Sequence, residues 1–473
     1  MVQLLPINYS VGITIPKDRE KIRERFDKAF EILENYSSSG CLLVPNGHDQ
    51  MPVQQDIFEV IEILKEEYPQ YNFKLGSYED MFEQIDKNSL KNITGEFYDG
   101  KYMRVHRSIS SSRADIKTLN TRIENKITNI LEPLASVAYS LGFEYQSGTI
   151  EQIWRRMLKN HAHDSIGCCC TDNVNKQVEM RFVGVEDSVD NLLDFYMRKL
   201  IDTNDGAEDK LIVFNGLPYS RRACCKVEVS SYFENFDIVD GQGKAQDFEI
   251  LSSEKSVTRD ESENCQKNYS KYQIAFSDEI PAMGYKIYKI IESEKQKNYI
   301  ESSNDNAIEN VYYKIEINQN GSLNIEEKNT GNAYRNVLIF EDSADGGDSY
   351  DYSPIENDII LTSDNIKANI KTNKCSYFEE ANISFRFDVP KDMQSRQDRN
   401  IDGHIDAKIC LCLDKESPVI DIKIDIDNQA KDHRIRALVP QNLSASKSVA
   451  DIQFGKLERD SYDSAMDVWQ DEN

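Results

Sequence analysis

Hydrophobic positions change their period along this chain, and the changes mark out its parts. From Pro16, the residues Ile22, Phe26, Phe30 and Leu33 recur at helical spacing among charges, which predicts a helix. GCLLVP at 40–45 then reads as a short buried strand and NGHDQMP at 46–52 as a loop. A second helix is expected through Ile57, Val60, Ile61 and Leu64, followed by a strand-like FKLGSY at 73–78. Residues 1–87 are therefore expected to be the C-terminal part of an α/β domain, although they supply fewer parallel strands than such a sheet needs.

Between 115 and 141, Ile116, Ile123, Ile130 and Val137 interleave with Leu119, Ile127, Leu134 and Leu141 as two adjoining apolar rows of one long amphipathic helix. Thr149 and Gln152 suit a capping box for a second helix carrying Ile153, Trp154, Met157 and Leu158. A third runs through Phe182, Val185, Val189, Leu192, Leu193 and Tyr196, so residues 88–203 are expected to form a three-helix bundle. After DTNDG at 202–206 the period becomes two, and LIVFNGLPYS and ACCKVEVSS read as strands. Residues 204–295 are then expected to make a small β domain and 296–473 a β-sandwich domain. Asn320 and Gly321 mark a hairpin, and Ile420, Ile422, Ile424 and Ile426 alternate with charges as a strand with one wet face. SEKSVTRDESENCQKN and ESEKQKNYIESSNDN read as solvated loops. The fold class is multidomain α+β.

Length and composition narrow the partners. A chain of 473 residues with 39% hydrophobic content can fill several cores. Its 82 acidic against 56 basic residues, net −26, disfavour sequence-independent binding to nucleic acid or to an anionic membrane. No apolar run is long enough to span a bilayer and MVQLLPINYSVGITIPKDRE is unlike a secretory signal, so a cytoplasmic location is expected. The ten cysteines follow no disulfide or CxxC spacing and are expected to be reduced, with Cys168, Cys169 and Cys170 packed inside the bundle. Self-association into a homo-oligomer stays open.

The densest chemistry is NHAHDSIGCCC at 160–170. On a helix, side chains two apart point to different faces, so His161 and His163 can share a metal ion only if the backbone leaves the helical path. One ligand is the count the spacing supports, and zinc would need others from distant positions. The competing reading has His163 and Asp164 cap a helix and bond each other. Asp49, after a predicted strand, is placed equally well for chemistry or for a turn. Arg104, His106, Arg107 and Arg113 form a cationic cluster that suits either an anionic substrate group or ion pairs between domains. DRNIDGHID at 398–406 has calcium-loop spacing, but Ile409 stands where the bidentate glutamate belongs, and a polar hairpin is the preferred reading.

WRRMLKNHAHDSIGCCCTDNVNKQVEMRF at 154–182 resembles the helix-bundle segment of glycoside hydrolase family 38, the retaining α-mannosidases. LLVPNGHDQMP at 42–52, YMRVHRSISSSRADIK at 102–117, DGGDSYDYSP at 345–354 and VADIQFG at 449–455 resemble further segments in the family's order. NGHDQMP and NHAHDSIGCC are most similar to bacterial members, including those acting on mannosylglycerate or its 6-phosphomannosyl form. The resemblance implies a (β/α)7-barrel-like catalytic domain at the start. It implies zinc as cofactor with His163 as one ligand, Asp164, Arg113 and Tyr350 as α-mannoside contacts, and Asp49 as acid/base. Retaining hydrolysis also needs a second carboxylate as nucleophile. That aspartate and the His-x-His-Trp-Asp-like ligand motif have no counterpart in these residues, so the chain reads as an internal fragment, inactive alone. The alternative is a non-enzymatic carbohydrate-binding or scaffold protein derived from such an enzyme.

Overall fold

The computed structural model describes residues 5–37, 39–93, 102, 106–202, 209–260, 265–295, 298–300, 302–441, 443–452 and 454–461. They fall into two compact units, Met1–His106 with Leu443–Asn473, and Arg107–Asn442.

In the first unit, helices α1 (Arg19–Tyr36), α2 (Ile57–Glu67) and α3 (Tyr78–Gln84) follow one another. Asp18 caps α1 by accepting from the Lys21 amide at 3.0 Å, and Ile22, Phe26, Phe30 and Leu33 bury one face against Val60, Leu64 and Tyr68 of the α2 region. The two expected strands do not form. Among the described residues, 40–45 have no neighbouring strand to complete a ladder, and are tied instead by single bonds, such as that from the Gly12 amide to the Pro45 carbonyl at 2.9 Å. FKLGSY ends in a helix start, because Ser77 and Asp80 form a reciprocal capping box for α3. The strands among this unit's described residues are Lys447–Ile452 and Gly455–Asp460, an antiparallel pair.

The second unit opens with α4 (Ala114–Lys126), a π-helical turn (Ile127–Leu131) and α5 (Glu132–Ser140), together the long helix expected from the apolar rows. The π-turn directly precedes Pro133, whose ring nitrogen cannot donate to the Asn129 carbonyl. Then come α6 (Ser147–Lys159), α7 (His163–Gly167) and α8 (Asp172–Asp202). Ile123, Ile127, Leu131, Leu134, Met157, Phe182, Val185, Val189 and Tyr196 are fully buried in one core between the long helices. Thr149 and Gln152 are exposed within α6 rather than capping it. The N-cap residue is Gln146, whose amide is satisfied by the Tyr196 hydroxyl at 2.8 Å.

The β part begins with β1 (Lys210–Asn215), β2 (Arg221–Ser231), β3 (Phe236–Val239), β4 (Ala245–Gln246), β5 (Glu249–Asp260), β6 (Cys265–Ile280) and β7 (Gly284–Glu292). They form antiparallel sheets ordered β1-β7-β3-β4 and β2-β6-β5, and Ile212, Phe214 and Tyr285 press onto the helical core. SEKSVTRDESENCQKN is not the loop its polarity suggests: β5 and β6 pair from Glu249↔Ala275 out to Asp260↔Cys265. A two-stranded arm wetted on both faces carries no apolar alternation to read.

Next come β8 (Ser302–Ser303), β9 (Ala307–Glu309), β10 (Tyr313–Ile317), β11 (Leu323–Glu327), β12 (Ala333–Val337), β13 (Ile339–Ala344) and β14 (Leu361–Thr362). The unit ends with β15 (Asn369–Lys374), β16 (Phe378–Val389), the short helix α9 (Met393–Gln397), β17 (Gly403–Asp414), β18 (Asp421–Asn428) and β19 (His433–Leu438). Sheets ordered β12-β11-β10-β9, β14-β13-β19 and β18-β17-β16-β15-β8 enclose one large apolar core. Asn320 and Gly321 make the β10–β11 hairpin as expected, with Gly321 at φ 85°. Lys226 of β2 lies over the Phe378 ring at 3.6 Å and bonds Glu380 at 2.8 Å, joining the two β modules. Among the described residues no helix is long and apolar enough to cross a membrane.

Candidate functional site

The histidine motif sits where the backbone breaks between α6 and α8. Asn160 closes α6 and is fully buried, donating to the Val178 carbonyl at 3.0 Å and accepting from Arg181 Nε at 2.6 Å. The chain then turns out of the helix, which sends the two histidines apart. His161 bonds Asn120 of α4 at 2.7 Å, whereas His163 starts α7 with its side chain 96% exposed. Neither His163 nor Asp164 caps a helix: Ala162 is the N-cap of α7, without a side-chain bond. His163 Nε2 lies 3.5 Å from Asp164 Oδ1. Gly167 ends α7 with the place of a Cβ only 2.8 Å from Ile109, and Lys117 Nζ donates to its carbonyl at 3.2 Å, a cation at a helix C-terminus.

Cys168 takes the left-handed conformation at φ 65° and reverses the chain. Its thiol is buried, but the next two are only half-buried, so the three cysteines do not all pack inside the bundle. Cys169 Sγ donates to Asp164 Oδ1 at 3.3 Å, and Cys170 turns to Asn175. Cys169, expected to pack inside the bundle, is thus bonded to Asp164 instead. Tyr350 stands in the loop after β13. Cys169 holds the Tyr350 phenol above its usual range, reinforced by the negative charge of Asp164; burial raises the Cys169 thiol, as does its bond to Asp164.

The Tyr350 loop is held from several sides. Asp348 Oδ1 accepts the Tyr350 amide at 2.8 Å, Asp345 Oδ1 the Gly347 and Ser353 amides at 2.9 and 3.1 Å. The Tyr352 amide donates to Ser108 Oγ at 2.9 Å, and the Arg434 guanidinium stacks on the Tyr352 ring at 3.7 Å. The turn around Ser108 and Ile109 therefore touches both α7 and this loop. Arg113, left-handed at φ 46° before α4, pairs with Asp172 at 2.9 Å.

In the other unit, Asp49 is exposed in the NGHDQMP turn and accepts from the Tyr9 hydroxyl at 2.8 Å. That bond raises the Tyr9 phenol above its usual range. The Gln54 amide pairs with both backbone groups of Ile15, at 2.9 and 2.8 Å, and Asn46 Nδ2 bonds the Gly12 carbonyl at 2.6 Å. These contacts brace the turn that presents Asp49.

His163 is open to a metal, but a zinc ion needs three or four protein ligands, and no group of three or more ligating side chains exists among the described residues. The residues present do not by themselves fit a zinc centre. The carboxylates of 398–406 are engaged elsewhere, Asp402 with Lys391 at 3.0 Å and Asp406 with Arg386 at 2.7 Å, and the stretch links α9 to β17. Arg104 and the side chain of Arg107 lie outside the described residues.

Two family profiles match the chain: the alpha mannosidase middle domain over residues 104–200 and the glycosyl hydrolases family 38 C-terminal domain over 308–472. A protein of Halalkalibacterium halodurans provisionally named mannosylglycerate hydrolase is 26% identical over 510 residues, covering 95% of this chain and 56% of its own. The human alpha-mannosidase 2C1 is 27% identical over 152 residues, 31% of this chain and 14% of its own. The crystal structure of an alpha-mannosidase from Enterococcus faecalis V583 superposes with a TM-score of 0.78 at 25% identity, over 98% of this chain and 58% of that one. The chain thus spans somewhat more than half the length of these long matches. With both profiles in order and the fold matched nearly end to end, the chain belongs to glycoside hydrolase family 38, of which it carries the middle and C-terminal domains.

Proposed function

We propose that the chain serves as part of a zinc-dependent retaining α-mannosidase that hydrolyses α-mannosides, with mannosylglycerate or its 6-phosphomannosyl form as the substrates to try first. In this reading residues 1–87 end a (β/α)7-barrel-like catalytic domain, 88–203 are the bundle that carries the His-Asp motif, and 204–295 and 296–473 are the β modules. Asp164 and Tyr350 contact the sugar, Arg113 stands near an anionic part of the substrate, and Asp49 is the acid/base. His163 would give zinc one ligand. The observation that carries the reading is that one turn, Ser108 and Ile109, bonds the loop of Tyr350 and packs against Gly167 of α7, the helix of Asp164, so that groups suited to sugar hydroxyls come from two different layers of the fold.

The reading is tested by methyl α-mannoside binding, followed through the Tyr350 ring resonances with methyl α-glucoside as control. Selective perturbation by the mannoside, lost in Asp164→Asn, is expected; equal response to both sugars, or none, overturns it. With a single carboxyl candidate and a single zinc ligand candidate, the 473 residues are expected to give no turnover of an aryl α-mannoside with added zinc. Turnover abolished by Asp49→Asn would overturn that expectation. In a polypeptide that supplies the remaining ligands, His163→Ala is expected to lower zinc content, and unchanged zinc would remove His163 from the site.

A further inference from the structure

We propose that Arg434 of β19 is a specificity-determining residue for anionic α-mannosides, binding an oxyanion that the substrate carries beside the sugar contacted by Tyr350. The inference deepens the α-mannoside reading and rests on it for the sugar, while the anion site stands on the surroundings of Arg434 itself. Among the described residues, the Arg434 side chain has neither a hydrogen-bond acceptor nor a carboxylate partner. Its Nε is buried without one, and its guanidinium lies 3.7 Å over the Tyr352 ring.

A half-buried cation without a counter-charge is destabilising, and the stack on Tyr352 offsets only part of that. Carboxylates are plentiful around it but committed. Asp342 and Asp358 hold Arg396, Asp342 also holds His433, and Asp345 and Asp348 accept amides of the loop that carries both tyrosines. Across the β13–β19 ladder, Ser343 is the register partner of Arg434, so the two side chains leave the same face of the sheet. Ser343 is 4% exposed and its Oγ bonds nothing among the described residues, so this face supplies no acceptor either. The counter-charge that the guanidinium lacks comes from outside the chain.

Its position makes the substrate the source. Tyr352 follows Tyr350 by two residues in one loop, and Arg434 follows His433, whose register partner Ala344 is where that loop leaves β13. A guanidinium stacked on a ring keeps its N–H donors in its own plane, so the stack engages a face of the group and leaves the donors for an oxyanion. Carboxylate and phosphate both match that planar fork, whereas a neutral mannoside offers nothing to the charge. The shared chemistry is an oxyanion, with a glycerate carboxylate or a phosphate on the sugar as its two sources. Arg113, also placed near an anionic part of the substrate, already has Asp172 at 2.9 Å, so the unmatched charge is that of Arg434.

The test uses the 473-residue chain, with the Arg434 Nε–H resonance assigned by its loss in Arg434→Lys. D-glycerate and inorganic phosphate are titrated separately into the wild-type chain, with chloride at equal ionic strength as control. Displacement of that resonance by at least one of the two, and not by chloride, is expected, and the one acting at lower concentration identifies the source. Displacement by neither, or equally by chloride, overturns the anion site. Mannosylglycerate, methyl α-mannoside 6-phosphate and methyl α-mannoside are then compared by calorimetry. The wild-type chain is expected to bind the matching charged mannoside at least about tenfold more tightly than the neutral one. Arg434→Met is expected to bring that ratio close to one, and Arg434→Lys, which keeps the charge without the fork, to retain part of it. A ratio that survives in Arg434→Met, or a ratio of one in wild type, overturns the specificity role. The resonance titration needs only folded wild-type chain, so it decides even where Arg434→Met fails to fold. Because it needs no sugar, an anion that moves Nε in a chain that ignores all three mannosides overturns the functional reading and not the anion site.

Discussion

Tyr9 and Asp49 are exposed, yet their bond sets an ionisation that can be followed directly. A phenol that donates to a carboxylate resists losing its proton, because phenolate would give up the bond and face a like charge; Tyr9 is accordingly shifted upward. In Asp49→Asn the charge is removed and the Tyr9 midpoint is expected to fall, read by tyrosine Cζ resonances against Tyr9→Phe; an unmoved midpoint would mean that the bond does not persist in solution. The thiols give a second readout. Burial pushes Cys410 up to about 11 and Cys224 up to about 12, so at neutral pH both hold almost no thiolate. Iodoacetamide at pH 7.5 is expected to label them at least about tenfold more slowly than an unburied reference thiol, measured by peptide mass spectrometry, since the thiolate is the reacting form. Asp164 and Tyr350 are singled out in the sequence through resemblance alone. The contact of Cys169 with Asp164 is not legible there, because it depends on the left-handed Cys168, which has no periodic signal.

Helices with one apolar face were the most readable elements. The long helix before residue 141 was evident from its rows, but its π-turn was not, although Pro133 is its cause. The turn leaves the Asn129 carbonyl facing Gly216, where the place of a Cβ is 2.6 Å from that oxygen. Gly216→Ala must move either the helix or the loop after β1, at a cost of about 1–3 kcal/mol, the usual range for overpacking. Chemical denaturation checks this, and a change below about 0.5 kcal/mol would show that the loop relaxes freely, as surface sites do. Asn160 makes a parallel case at the motif itself. Asn160→Ala strands the buried Val178 carbonyl contact and the Arg181 donor together, for an expected loss of about 1–3 kcal/mol. Strands were legible only where one face is dry. The β5–β6 arm is wet on both sides, and residues 40–45 are apolar without a strand beside them, so polarity misleads in opposite directions at the two places.

At the scale of the molecule, the change from helical to two-residue period separated the α and β layers correctly, since each layer must bury its own apolar face. What period could not show is how polar residues are buried between layers. Arg396 of α9 is 2% exposed and bonds Asp342 of β13, Asp358 Oδ1 at 3.2 Å and the Ile359 carbonyl at 2.7 Å, while His433 of β19 bonds the other oxygen of Asp342. Asp358 also accepts the Ala344 amide at 2.6 Å, at the root of the loop that carries Tyr350. Arg396→Met would leave the buried Asp342 without its guanidinium, a loss of about 3–5 kcal/mol by the usual penalty for breaking a buried pair. Adding Asp342→Leu should recover much of it, because replacing both partners removes the uncompensated charge rather than exposing it. Urea unfolding followed by hydrogen exchange separates the two compact units. The loss is expected in Arg107–Asn442 alone, with faster exchange across 345–353, and a single variant as stable as wild type would show that the cluster holds no charge worth neutralising.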